Sequence, residues 1–262
     1  MKNKLKTILR LLNPVINMFN LIKGFKNLFR YPSFMIGYFK YKSMSNEIVE
    51  YKDLWPELND KTSASQTGGG QYFYQDNWAL KKVYQSQVKE HFDVGSRIDG
   101  FTSQCSIFTK VNFIDFRYVE YHIENMKCIE GDILNLPFED NSINSLSCLH
   151  VIEHIGLGRY GDPINPNGSI EALKELQRVL AKDGDLYLGI PIGKERVMYH
   201  AHRIFNPNTI VKELDDLVLI EFCAVDDKGI FVEKVNLDDF YEAFYSLGLF
   251  HFRRKQNDKE NN

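Results

Sequence analysis

The sequence predicts an α/β fold in which helices cover both faces of a mainly parallel sheet, preceded by a basic helical extension. Three observations support this prediction. Short apolar segments alternate with helical stretches from about residue 71 to residue 254. The 262 residues are 44% hydrophobic, which is enough for a well-filled core. Positive charge is concentrated before residue 47, and the rest of the chain is acidic.

Seven short apolar segments are predicted as strands. They lie near residues 91–94, 111–115, 127–130, 145–149, 185–191, 218–224 and 249–253. A helix is predicted over about 74–88. A second helix starts from a Ser169 cap, carries Leu173 and Leu176 on one face, and ends at Gly184. Because strands alternate with helices, the strands are expected to run mainly parallel.

Residues 1–58 form the predicted basic amphipathic extension. Nine Lys or Arg and no acid occur between residues 1 and 46, so the net charge of −3 consists of +9 there and −12 elsewhere. Apolar residues recur among these cations at helical spacing, and Asn13-Pro14 restarts the helix. Two interpretations stay open: an in-plane membrane anchor within residues 1–45, or a helical arm packed on the body or on a second protomer of a homodimer.

The longest uncharged run of the extension, residues 11–22, is about half of what a bilayer crossing requires, so no transmembrane span is predicted. A signal peptide is also disfavoured, because the cations run through the segment and no small-residue cleavage site follows. Residues 59–70, "NDKTSASQTGGG", are predicted as a flexible linker, residues 71–254 as the folded domain and residues 255–262 as a polar tail. The four cysteines are widely spaced, which indicates neither a zinc ribbon nor a disulfide framework.

Acidic residues follow the first three predicted strands of the domain. Asp93 and Gly95 belong to "DVGSRIDG", Asp115 follows the second strand about twenty residues after Gly95, and Asp132 follows the third. In parallel sheets ligands bind outside the carboxyl ends of the strands. A carboxylate at the Asp115 position can accept hydrogen bonds from both hydroxyls of a ribose.

The run from Asp93 to Phe205 resembles the class I S-adenosylmethionine-dependent methyltransferases. The similar passages are "GDILNLPFEDNSINSLSCLHVIEHI" and "ELQRVLAKDGDLYLGIP", and the resemblance covers roughly residues 70–254. It implies a Rossmann-like, seven-stranded sheet with S-adenosylmethionine as cofactor. Within the superfamily, "DVGSRIDGF", "SCLHVIEHIGLGRYGDP" and "AHRIF" are similar to an uncharacterised bacterial branch, a domain of unknown function that is associated with surface-polysaccharide genes.

The resemblance assigns cofactor roles to residues of this sequence. The first loop departs from the family pattern of three alternate glycines, because Arg97 and Asp99 occupy two of the three places; Gly100 is expected to supply a later tight turn. Tyr72 and Gln75 are secondary candidates in the helix that closes over the cofactor. The implied cofactor-binding residues are Asp93, Gly95 and Gly100 for the methionine part, Asp115 for the ribose, Asp132 and Ile133 for the adenine, and His150 near the sulfonium.

Candidate catalytic residues lie in two stretches after the fourth and fifth strands. "HVIEHIGLGRYGDP" contributes His154 and Asp162, with its glycine-rich part interpreted as an acceptor-binding lid, and "YHAHRIFNP" contributes His202 and Arg203. His202 is the preferred base, and Arg203 suits a phosphate or carboxylate on the acceptor. His150-x-x-Glu153-His154 resembles a metal-binding spacing of quinone-precursor methyltransferases, but a metal is a minor option and none is predicted.

These observations favour a methyltransferase acting on a sugar or glycan-linked acceptor, by O-methyl transfer, in the cytoplasm or on the inner face of the plasma membrane. The glycan acceptor is implied by the resemblance alone. The alternative is a noncatalytic methyltransferase-like module in surface-polysaccharide assembly, which the altered glycine loop favours. A nicotinamide-dependent sugar oxidoreductase is less consistent with the "LPFEDNSI" passage. Nucleic-acid modification is disfavoured because the body is acidic.

Overall fold

The computed structural model describes residues 21–45, 47, 50–54, 56–58 and 69–255. The chain divides into two compact units, Met1–Gly68 and Gly69–Asn262, and each is described here by itself. The Asn13-Pro14 restart, most of the linker (residues 59–68) and the tail from residue 256 onward lie outside the described residues.

The first unit contains helix α1, Leu21–Met44, and a 3-10 turn, Tyr51–Asp53. One side of α1 packs within the unit: the ring of buried Tyr38 lies 5.9 Å from that of Tyr51, and Arg30 Nη1 donates to the Leu58 carbonyl at 3.3 Å. The helix also carries exposed apolar side chains, with Phe29 71% and Ile36 68% exposed. Among the described residues, no helix has the length and apolarity that a bilayer crossing needs.

The second unit is an α/β domain. Its helices are α2 (Gln71–Ser86), α3 (Ser103–Cys105), α4 (Gly168–Val179) and α5 (Pro207–Glu213), with a π-helical turn at Ile98–Thr102 and 3-10 turns at Ile152–His154 and Leu237–Phe240. Its strands are β1 (Glu90–Val94), β2 (Lys110–Asp115), β3 (Met126–Glu130), β4 (Ile143–Leu149), β5 (Leu180–Ile192), β6 (Arg196–Met198), β7 (His202–Ile204), β8 (Leu217–Val225), β9 (Phe231–Val232) and β10 (Ser246–Arg254).

Eight strands form one sheet in the order β3-β2-β1-β4-β5-β10-β8-β9. The first five run parallel, whereas β10 lies antiparallel between β5 and β8. This arrangement confirms the prediction of a Rossmann-like, mainly parallel sheet. The eighth strand is the two-residue β9 at the edge, which was not among the seven predicted segments because it is too short to show a pattern.

The two faces of the sheet are covered by different helices, which separates the core into two parts. On one face Leu173 and Leu176 of α4 are fully buried with Leu146 and Leu188 of the sheet. On the other face Trp78 of α2 packs in a cluster with residues of β5 and β10. The helices therefore supply, on each face, the apolar cover that a parallel sheet requires.

Two predicted boundaries around α4 are wrong. The helix begins at Gly168 and ends at Val179, because Leu180 already pairs with Ile143 as the start of β5. Ser169 is consequently not the cap; its hydroxyl is buried and donates to the Ile152 carbonyl at 2.7 Å. Gly184 lies within β5, where a Cβ atom would approach two backbone oxygens within 3.0 Å.

We expect Leu176→Ala to lower the free energy of unfolding by about 2–5 kcal/mol, because this fully buried side chain would leave a cavity. The control is Lys174→Ala on the same helix, whose exposed ion pair with Asp215 should contribute much less to stability. Denaturant unfolding measures both variants. Equal losses for the two would contradict the placement of α4.

Candidate functional site

A cavity of about 880 Å³ opens at the carboxyl ends of β1, β2, β3 and β4. This edge of the sheet is where the sequence predicts the ligand. The lining comes from the loop after β1, the loop after β2, the turn after β3, the residues after β4 and the start of α2. The lining includes Tyr72, Gly95, Arg97, Asp99, Asp115, Arg117, Gly131, Ile133, His150, His154 and Tyr160.

Four of the seven predicted cofactor residues line this cavity, namely Gly95, Asp115, Ile133 and His150. The other three, Asp93, Gly100 and Asp132, are not part of its lining. Gly95 has a φ of +72°, and a Cβ atom there would come within 3.1 Å of Val151 Cγ1, so the turn favours glycine.

Asp93 holds the loop after β1 through hydrogen bonds and does not line the cavity. Its fully buried carboxylate accepts the Ser96 amide at 3.1 Å and the Ser96 hydroxyl at 2.7 Å, and Ser147 of β4 donates to it as well. Burial raises the pKa of Asp93 to about 6, against the lowering effect of these hydrogen bonds. The methionine-binding role predicted for Asp93 therefore does not match its position.

The loop after β1 contains an ion pair between Arg97 and Asp99. Arg97 points to Asp99, with its Nη2 atom 2.8 Å from Oδ2, and its guanidinium lies 4.8 Å from the centre of the Tyr72 ring. Gly100 lies in the π-helical turn, where a Cβ atom would collide with the carboxylate of Asp76. Gly100 thus packs closely against the Asp76 side chain of α2 and does not line the cavity, so its predicted ligand role does not match this position.

Asp115 ends β2 at the cavity wall. Its Oδ1 atom accepts the Arg117 amide at 2.7 Å and lies 3.4 Å from Arg117 Nε. The guanidinium of Arg117 also lies 4.7 Å from the centre of the Tyr160 ring, on the loop after β4. Asp115 therefore reaches the cavity while it also belongs to a contact that joins two loops of the rim.

Asp132 is exposed and accepts the Leu134 amide at 2.9 Å. It closes the turn after β3, and this turn presents Gly131 and Ile133 to the cavity. The structure thus separates the predicted adenine pair: Ile133 is at the wall and Asp132 is a turn residue.

His150 occupies the end of β4 with a φ of +57°. Its Nδ1 atom lies 2.6 Å from Gln75 Oε1, and its ring lies 4.5 Å from that of Tyr72. Burial lowers the pKa of His150 to about 3, so the imidazole is neutral at physiological pH. Both secondary candidates, Tyr72 and Gln75, therefore contact His150.

Two of the four predicted catalytic residues hold the loop after β4. Asp162 accepts the amides of Gly156 and Gly158 through Oδ2, at 2.7 and 3.2 Å. Arg203 is 8% exposed and donates to the Ile155 carbonyl at 2.6 Å and the Ser169 hydroxyl at 2.8 Å. Neither lines the cavity, so the predicted roles in catalysis and in clamping an acceptor do not match their positions.

The other two catalytic candidates are neighbours. His154 lines the cavity, whereas His202 does not, and the centres of the two rings are 6.4 Å apart. His202 packs instead against Tyr245, at 5.1 Å between ring centres. Burial lowers the pKa of both imidazoles. His154 is therefore better placed than His202 to meet a ligand in the cavity.

Sequence reasoning did not select Arg117 or Gly131 for the cavity, whereas Tyr160 belongs to the loop that was predicted as the acceptor-binding lid, and it lines the cavity. Arg117 follows Asp115 by two residues. This spacing could have indicated that Arg117 lies at the cavity, because it allows the Arg117 amide and side chain to contact Asp115 Oδ1. The position of Gly131 depends on a loop conformation that no local pattern specifies. Among the described residues, no group of three or more His, Cys, Asp or Glu side chains is arranged to hold a metal ion.

We expect Arg203→Ala to lower the free energy of unfolding by about 2–4 kcal/mol, because a buried carbonyl and a buried hydroxyl would lose their charged donor. Arg196→Ala in the adjoining strand β6 is the control, since its hydrogen bonds to carbonyl groups are exposed and should matter by less than about 1 kcal/mol. Thermal or denaturant unfolding compares them. A fully stable Arg203→Ala protein would reopen the acceptor-clamp role.

Comparison with protein families gives one match. Residues 135–215 match a family described as "Caenorhabditis protein of unknown function, DUF268". This description includes neither bacteria nor polysaccharides, so the predicted bacterial branch stays a prediction. A search of curated proteins finds no match to the chain.

Solved structures with a similar fold include a Burkholderia thailandensis 1,6-didemethyltoxoflavin-N1-methyltransferase with bound S-adenosylhomocysteine. It is 12% identical, with a TM-score of 0.50, and the alignment covers 75% of this chain and 83% of that one. The 4+2 cyclase SpnF is 13% identical with a TM-score of 0.50, over 70% of this chain and 82% of that one. At such low identity the likeness establishes the fold alone: the chain has the Rossmann-like fold found in class I methyltransferases.

Proposed function

We propose that the protein is an S-adenosylmethionine-dependent methyltransferase that transfers a methyl group to a hydroxyl of a sugar or glycan-linked acceptor. The observation that carries the proposal is the cavity at the carboxyl ends of β1 to β4, where Gly95, Asp115, Ile133 and His150 converge. The bound S-adenosylhomocysteine of the Burkholderia thailandensis enzyme supports the choice of cofactor.

The residues at the cavity fit this cofactor. Asp115 offers a carboxylate to the ribose hydroxyls, and Ile133 offers an apolar wall to the adenine. Gly95 would let the backbone approach the methionine part, and His150 is the lining residue to which the resemblance assigns a place near the sulfonium. S-adenosylmethionine, when bound, supplies a methyl group activated by a positively charged sulfur.

Methyl transfer of this kind is an in-line displacement, so this chain would contribute mainly alignment and exclusion of water. Tyr72 and Tyr160 stand on the rim and offer aromatic surfaces over the cavity. Tyr160 belongs to the glycine-rich loop interpreted as the acceptor lid, where its neighbour Arg159 is exposed. The glycan acceptor itself rests on the family resemblance.

The proposed place of action is the inner surface of a membrane. In α1, Phe29 and Ile36 lie seven residues apart, on one side of a helix, and both are exposed. The segment around them carries nine cations and no acid, so it complements an anionic leaflet. Aromatic burial combined with cation attraction is the usual basis of in-plane helix binding.

A noncatalytic module remains the second candidate. The observation in its favour is that Arg97 and Asp99 form an ion pair where glycines are expected, and that Asp115 is already engaged by Arg117. The similar fold of the cyclase SpnF is a further reason to test the cofactor directly.

We expect S-adenosylmethionine and S-adenosylhomocysteine to bind the purified protein saturably in a calorimetric titration. Asp115→Ala should weaken binding about 10- to 100-fold, because a charge-assisted hydrogen bond is worth about 1.5–3 kcal/mol. Glu139→Ala is the control, since Glu139 is an exposed acid of the same domain that lies outside the cavity; this variant should bind as wild type does. No binding to the folded wild-type protein would favour the noncatalytic module.

We expect the full chain to co-sediment with vesicles rich in anionic phospholipid more than with zwitterionic vesicles. The double change Phe29→Ser and Ile36→Ser should reduce the bound fraction, because it removes exposed apolar area from α1. The same double change at exposed Val218 and Ile220 of β8 controls for a general loss of surface hydrophobicity. Equal recovery of all three proteins would exclude the α1 anchor.

A further inference from the structure

The orientation of His154 is fixed by a backbone carbonyl. His154 Nδ1 lies 2.7 Å from the Ala201 oxygen, and Arg159 Nη1 donates to the same oxygen at 2.9 Å. A carbonyl oxygen can only accept, so Nδ1 carries the ring proton and Nε2 has a free lone pair. Burial lowers the pKa of His154 to about 4, although the hydrogen bond to the Ala201 oxygen acts in the opposite direction. The lowered pKa keeps the ring neutral at pH 7. A neutral imidazole with a free Nε2 therefore lines the cavity.

Glu153 lies beside that free nitrogen. Its Oε1 atom is 3.6 Å from His154 Nε2, and its side chain is 1% exposed. Its Oε2 atom is buried and has no hydrogen-bond partner among the residues that the structure describes. Burying a carboxyl oxygen without a partner costs about 1–3 kcal/mol. The backbone amide of Glu153 hydrogen-bonds to the same carboxyl group, which leaves Oε2 as the unpartnered atom. Such a group points to a functional role.

The charged and titratable groups around Glu153 come from several elements. Tyr72 of α2, Tyr245 before β10 and Cys148 of β4 each interact electrostatically with Glu153, as does Arg159 of the adjoining loop, while His154 is its neighbour in the chain. Burial raises the pKa of Glu153 to about 8, and Arg159 opposes this increase. Glu153 thus holds its proton at neutral pH and loses it in mildly alkaline solution.

We propose that His154 Nε2 accepts the proton of the acceptor hydroxyl and that Glu153 is the positioning residue that stabilises the resulting imidazolium. The proposal rests on the proposed methyltransferase function and deepens it. The acceptor oxygen forms a bond to the methyl carbon while the carbon–sulfur bond of the sulfonium donor breaks and its electron pair stays on sulfur. The hydroxyl proton moves to Nε2, next to Glu153 Oε1.

This arrangement favours a hydroxyl over an amine as the acceptor group. A neutral amine attacks with its own lone pair and does not need a base before the bond forms, whereas a hydroxyl is a poor nucleophile until its proton leaves. The imidazolium formed at Nε2 would be buried, and an ionised Glu153 would provide its counter-charge. Methyl transfer to a hydroxyl should therefore become faster as Glu153 ionises.

The test is ¹⁵N NMR of the histidine side chains in the full chain, titrated from pH 6 to pH 9. We expect His154 to be protonated at Nδ1 at pH 7 and its Nε2 resonance to shift with a midpoint near pH 8, as Glu153 ionises. Glu153→Gln should abolish that shift, and Glu153→Asp should retain it. Glu139→Gln, at an exposed acid elsewhere in the domain, should leave it unchanged.

A proton at Nε2 of neutral His154, or an unchanged shift in Glu153→Gln, overturns the proposal. A second measurement uses methyl transfer from S-adenosylmethionine to a panel of hexoses and primary amines, and methylation of the amines alone also overturns it. Glu153→Gln, at a residue that does not line the cavity, should bind S-adenosylhomocysteine as tightly as wild type does. If the wild-type protein does not bind S-adenosylhomocysteine, the proposed methyltransferase function is contradicted. Failure of that function is therefore distinguishable from failure of the roles assigned to His154 and Glu153.

Discussion

The buried carboxylate of Asp93 is the constraint on which the shape of the cavity depends. It receives hydrogen bonds from the loop that follows β1 and from Ser147 on the neighbouring strand β4. Ser147 in turn contacts His91, whose second ring nitrogen lies 2.8 Å from Ser145. This buried polar chain fixes the loop to two strands at once. The backbone turn is therefore held by side-chain hydrogen bonds, in a loop that carries Arg97 and Asp99.

A second polar anchor performs the same task for the loop after β4. Arg203 of β7 donates hydrogen bonds to the Ile155 carbonyl and the Ser169 hydroxyl. Asp162 accepts hydrogen bonds from the amides of Gly156 and Gly158 in the same loop. His154 precedes these glycines in the chain, and the Ala201 carbonyl next to β7 sets its tautomer. The short β6-β7 hairpin thus positions the His154 imidazole, which lines the cavity, although no residue of β6 or β7 lines the cavity itself.

Most of the sheet could be predicted from the sequence, because each core strand is a compact apolar run between polar turns. Strand β9 and the β6-β7 hairpin are too short for such a pattern. The site was predicted less completely. Asp93 and Asp132 have the expected positions in the chain, but a carboxylate after a strand can face the cavity or close a turn, and the spacing alone does not distinguish these outcomes. The guanidinium of Arg203 suggested a clamp for a phosphate or carboxylate on the acceptor. In the structure it donates hydrogen bonds to the protein backbone instead, including the Ile155 carbonyl.

The contact between Arg117 and Asp115 has a thermodynamic consequence for any ligand with hydroxyl groups. A hydroxyl that takes Asp115 Oδ1 must compete with the amide and the guanidinium of Arg117, and Arg117 also stacks on Tyr160. The measured dissociation constant would then report the difference between two sets of contacts and not the strength of the new set. Because Arg117 also contacts Tyr160 on the loop after β4, a ligand that replaced Arg117 at Oδ1 would change the contacts of both loops in a single equilibrium.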